Sequence, residues 1–80
     1  MEESVNDLCT RVREKLRDLE KQVRGMKEHS DFKSEPTYPG QHGEMIAQSM
    51  LAVRALEEAR MRLGKVLQYA GDGTSIYDKA

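Results

Sequence analysis

Eighty residues and 9.1 kDa supply one small domain at most, because short chains bury proportionally less surface and leave little room for a deep enzymatic cleft. Apolar residues are 38% of the chain, charged residues 34% and aromatics 5% with no Trp, which fits a helix-rich, surface-heavy protein and argues against a thick-cored sandwich or barrel. Thirteen Lys and Arg against fourteen Asp and Glu leave a net charge of -1, so no global field attracts long nucleic acid or an anionic membrane, and any anion site must be a local cluster.

The first element is a long amphipathic helix. Val5, Cys9, Val12, Leu16, Leu19, Val23 and Met26 recur at alternating steps of four and three, one face of a helix with near-heptad spacing. Ser4 followed by Asp7 has the spacing of a capping box, so the helix is expected over about residues 4–28, with Gly25 blurring its end. Its outward face is read as Arg11, Arg13, Glu14, Arg17, Asp18, Glu20, Lys21, Arg24 and Lys27, with Asp7 to Arg11 and Glu20 to Arg24 one turn apart. Cys9, on the apolar stripe, is read as a small buried hydrophobe and has no second Cys with which to form a disulfide.

Residues 29–43, HSDFKSEPTYPGQHG, carry two Pro, two Gly and several short polar residues, a composition that breaks helices and makes turns. This is expected to be the loop of a helical hairpin, longer than the usual helix connection. Phe32 and Tyr38 lie inside it, which points to a loop packed on the hairpin, a neighbouring subunit or a ligand.

A second helix is expected over about residues 44–70, with Met45, Ser49, Ala52, Leu56, Ala59, Leu63, Val66 and Ala70 again at steps of four and three. Two such stripes match seam to seam in an antiparallel pair. A second set, Ile46, Ala47, Met50, Leu51, Val53 and Ala55, widens the apolar arc beyond what one partner helix covers and predicts a homo-oligomer. Gly64 costs about 1 kcal/mol relative to Ala in a helix, so it is either tolerated or marks a close approach. Gly71 is placed to cap the helix in a left-handed conformation, and a short tail, 71–80, offers Ile76 and Tyr77 as anchors. The fold class is therefore all-α, one hairpin domain over 1–80.

Catalytic apparatus is absent from the motifs: there is no GxSxG, HExxH or GxxxxGK[ST], and Gly71-Asp72-Gly73 follows a helix instead of preceding one. His29 and His42 match no zinc spacing, so no metal and no cofactor is expected. No run of about 20 apolar residues is present to span a bilayer, and a cytoplasmic location is expected. The cluster that stands out is Arg54, Glu57, Glu58, Arg60, Arg62 and Lys65, with Glu58, Arg62, Lys65 and Tyr69 along one helical face. Arg forks onto phosphate and aromatic rings stack on bases; turn-spaced ion pairs and the helix dipole explain the same residues as a solvated face.

Residues 56–68, LEEARMRLGKVLQ, and 71–78, GDGTSIYD, resemble the helical hairpin domain of phage cyclic-nucleotide sponges, the anti-CBASS and anti-Thoeris proteins, with the compact anti-CBASS form the nearer of the two. The resemblance implies a homo-oligomer in the cytoplasm of an infected bacterium. It would bind cyclic di- and trinucleotides or cyclic ADP-ribose isomers without cleaving them, and so would not be an enzyme. Arg60, Arg62 and Lys65, with Arg54, are the candidate phosphate contacts on chemical grounds; Phe32, Tyr38, Tyr69 and Tyr77 are the candidate stacking rings. The rival expectation is a coiled-coil adaptor that binds a protein helix.

Overall fold

The computed structural model describes residues 2–71, so the tail beyond Gly71, with Ile76 and Tyr77, lies outside the described residues. Two helices account for most of it: α1 (Val5–Gly25) and α2 (Gln41–Ala70), with two short 3-10 turns, Met26–Glu28 and Ser30–Phe32, between them. No strand occurs among the described residues.

Local chemistry explains each boundary. Ser4 is extended, and its Oγ accepts the Asp7 amide at 3.1 Å, satisfying one of the free N–H groups at the helix start. After Gly25 the backbone tightens into the first 3-10 turn, and at His29 it becomes extended, with Nδ1 accepting the Asp31 amide at 3.0 Å. The connection is thus partly helical, where an irregular loop over 29–43 was expected. Its far end also differs. The Gln41 amide donates to the Tyr38 carbonyl at 3.2 Å across Pro39-Gly40, and Gly40 has φ 84° and ψ -1°. Those angles are those of the third residue of a type II turn, which needs Gly there and favours Pro before it. The turn launches α2 at Gln41, three residues earlier than Glu44, and carries Gly43 into the helix. At the other end Gly71 has φ -87° and its amide still bonds the Leu67 carbonyl, so the expected left-handed cap does not form.

The helices pack antiparallel: Arg24 meets Glu57, Glu20 meets Arg60, and Arg13 lies over Gly64. The apolar core is thin. Among the described residues Cys9 and Val53 are the buried hydrophobes, flanked by half-buried Val12, Leu16, Val23, Leu56, Leu63 and Leu67. This rotates both seams relative to the sequence expectation. On α1, Leu19 is exposed and Glu20, assigned to the outward face, is 1% exposed. On α2, Val53, assigned to the surplus set, is central, whereas Ala52, Val66 and Ala70 face outward. Alanines made the neighbouring stripe look continuous, but larger residues fill the contact better.

That rotation leaves an apolar face open. Val5, Val12 and Leu19 on α1, with Met26 just past its end, recur every seven residues, and Met45, Ala52, Ala59 and Val66 do so on α2. Helical geometry sets the first stripe on the flank of α1 opposite Arg13 and Arg24, and the second on the flank of α2 opposite Glu57 and Gly64. Because Arg24 pairs with Glu57 and Arg13 lies on Gly64, both stripes share one face of the hairpin. Val5, Leu19, Met26 and Val66 on it are exposed.

Candidate functional site

The cations suspected from sequence separate into two groups. Arg60 belongs to the seam. Its Nε and Nη2 donate to the two carboxylate oxygens of Glu20 at 2.7 and 3.1 Å, a two-pronged pair with the Arg60 side chain 27% exposed and that of Glu20 1%. These hydrogen bonds, before the opposite charge, hold the Arg60 guanidinium above its ordinary value.

Arg54, Arg62 and Lys65 instead project from the outer face of α2. Arg62 is tied one turn back to Glu58 through Nη2 at 2.8 Å, an exposed pair of the kind worth about 0.3 to 0.5 kcal/mol. Arg54 does not join Glu58. Neither it nor Lys65 has a partner among the described residues. Tyr69, 72% exposed, shares that outer face, and 54 and 65 differ by three turns of helix, so their side chains point the same way.

The loop aromatics lie elsewhere. Phe32 is half-buried at the loop end, and the Tyr38 hydroxyl donates to Glu44 at 3.1 Å. Lys65 lies twenty-one residue steps along the helix from Glu44, about 30 Å at 1.5 Å per residue. One chain therefore does not bring Phe32 or Tyr38 to Arg62 and Lys65; only a neighbouring chain could supply those rings to the same ligand. Tyr77 lies outside the described residues.

The polar face, opposite the open apolar one, holds a feature not read from sequence. A shallow groove of about 180 Å³ opens between the helices, lined by Thr10, Arg13, Glu14, Arg17 and Arg60. Arg13 reaches across it: Nε donates to the Arg60 carbonyl at 3.2 Å, and the guanidinium atoms pass 3.6 to 3.9 Å from where a Cβ would stand on Gly64. A Cβ would fit there at ordinary contact distance, so Gly64 is tolerated in the helix and not demanded by a close approach. Arg17 has no partner among the described residues. Sequence places Arg13 and Arg17 on the outward face of α1, interspersed with Glu14 and Asp18. The available signal was the four-residue step from Arg13 to Arg17, with Thr10 three before Arg13, which sets them along one flank.

The expected ion pairs also changed partners. Arg11 bonds Glu3 at 2.9 Å instead of Asp7, and Arg24 bonds Glu57 instead of Glu20. No group of three or more His, Cys, Asp or Glu among the described residues is placed to hold a metal ion. None of their helices is long and apolar enough to cross a membrane. Compared with protein-family models, curated proteins and solved structures, the chain matches none.

Proposed function

We propose that this chain is a binding module that assembles from copies of the hairpin and sequesters small cyclic nucleotides, of the kind used as immune messengers, without cleaving them. The observation that carries the reading is the outer face of α2: Lys65 and Arg54 without partners among the described residues, beside Arg62 and the exposed ring of Tyr69. Cations with unused donors suit phosphate and an exposed ring suits a base, and capture needs no general base. The likeness of residues 56–68 and 71–78 to the phage sponge proteins supports the same reading, which places the protein in the cytoplasm of an infected bacterium. The open apolar face supports assembly, because a hairpin whose described residues bury only two hydrophobes gains most of its further burial from a second copy.

The test is a thermal-shift and calorimetric panel of cyclic di- and trinucleotides and cyclic ADP-ribose isomers, with the bound ligand recovered by denaturation. Ligand at a hundred times its dissociation constant adds about 2.7 kcal/mol to apparent stability. The expected result is stabilisation by at least one of them, return of that ligand intact, and weakening by Lys65→Ala. No stabilisation by any of them defeats the proposal. Leu19→Glu with Val66→Glu is expected to keep the helical signal and reduce the sedimenting mass at equal protomer concentration. The same apolar face would also serve a coiled-coil adaptor; one stoichiometric protein partner recovered without nucleotide favours that reading.

A further inference from the structure

The groove on the polar face is not used in the reading above, which places its cations on the outer face of α2. Three arginines, Arg13, Arg17 and Arg60, line it, and two of them are held by neighbours. Glu20 occupies Nε and one Nη2 position of Arg60, and the Arg60 carbonyl occupies Nε of Arg13. An arginine offers five donors, so among the described residues Arg13 keeps its four terminal N–H groups and Arg60 three of its four for whatever enters. Arg17 keeps all of its own. Donors fixed in orientation by neighbours lose less entropy on binding an oxyanion than free side chains do.

Space and charge narrow the occupant. A volume of about 180 Å³ is about six times a water molecule's share of the liquid and below the roughly 300 Å³ at which sites for drug-sized molecules begin. It admits a phosphate with part of a sugar, not a whole dinucleotide. Glu14, on the groove wall and without a partner among the described residues, repels a bare phosphate but accepts hydrogen bonds from hydroxyl groups. Thr10 beside it both donates and accepts. The lining therefore combines three cations, Arg13, Arg17 and Arg60, with two groups suited to hydroxyls, Glu14 and Thr10. We propose that it is a separate binding site for a phosphorylated sugar, with the phosphate on the three arginines and the sugar hydroxyls on Glu14 and Thr10.

Calorimetric titration of the full chain at low ionic strength, with ribose 5-phosphate and inorganic phosphate as probes, tests this. Arg17 and Glu14 are exposed and make no intrachain bond among the described residues, so their variants keep the fold, which circular dichroism verifies. Ribose 5-phosphate is expected to bind more tightly than inorganic phosphate, and Arg17→Ala to weaken it at least about tenfold, the loss expected for one charge-assisted contact. Glu14→Gln is expected to shrink the preference for ribose 5-phosphate over phosphate. Lys65→Ala is expected to leave both affinities unchanged, which separates this site from the outer face of α2. Absence of binding above about 1 mM, an Arg17→Ala affinity equal to that of the parent, or a preference untouched by Glu14→Gln each overturns the assignment. Loss of cyclic-nucleotide capture with ribose 5-phosphate binding intact would defeat the proposed function and leave this site standing.

Discussion

The pair of Glu20 and Arg60 should fail asymmetrically when broken. Glu20 is 1% exposed, and among the described residues Arg60 alone satisfies both of its oxygens, whereas Arg60 is 27% exposed and borders an open groove. Replacing Arg60 by Met strands a carboxylate in the seam, and leaving a buried charge without its partner costs about 3 to 5 kcal/mol. Replacing Glu20 by Leu frees a guanidinium that can turn toward water, so that loss should be the smaller of the two. The double variant Glu20→Leu with Arg60→Met should recover most of the stability, since apolar residues of similar size fill the space without desolvating a charge. Urea unfolding at fixed protomer concentration measures this. With a slope of about 1 kcal/mol per molar for a chain this small, Arg60→Met should lower the midpoint by about 3 M or leave the chain unfolded at the start. Losses of equal size in the two single variants, or a double variant as unstable as Arg60→Met, would refute the reasoning, because both would mean that the carboxylate's burial is not the cost.

Three further outcomes are expected. Gly64→Ala should stabilise: the added Cβ meets Arg13 at 3.6 to 3.9 Å, an ordinary contact, and the helix gains up to about 1 kcal/mol. Differential scanning calorimetry should show Tm rising by a few degrees, and a fall would mean that Arg13 needs the vacancy. Ser4→Ala should cost about 1 kcal/mol in thermal or urea unfolding, because the Asp7 amide loses its acceptor. The Lys33 ammonium, by a hydrogen bond first and by its charge second, holds the Glu28 carboxyl below its ordinary value. Its small stabilisation is therefore present above the ordinary carboxylate range and lost as pH falls through the lowered value. Side-chain NMR titration should show Glu28 titrating low in the parent and higher, nearer the ordinary value, in Lys33→Ala.

The separation between what was legible and what was not runs through particular residues. Ser4 and Asp7 announced the start of α1 because capping involves neighbours three positions apart. Pro39-Gly40 announced a turn, but whether the helix starts after it or after Gly43 depends on the turn type, which the two residues alone leave open. The α2 cations Arg54, Arg62 and Lys65 were visible as a cluster. Arg60 looked like a member, and only the position of Glu20 on the other helix removed it from the outer face.

Composition and periodicity by themselves determined an all-helical chain of two amphipathic helices with a turn-rich connection. Those features follow from contacts within a few residues along one chain, which spacing encodes directly. The tertiary structure decided which stripe of each helix faces the other, since several apolar stripes competed and only packing two helices together shows which fits best. It thereby buried Glu20 and brought Arg13 and Arg17 on α1 beside Arg60 on α2. A groove built from residues more than forty positions apart has no signature in spacing, because its geometry exists only once the two helices meet.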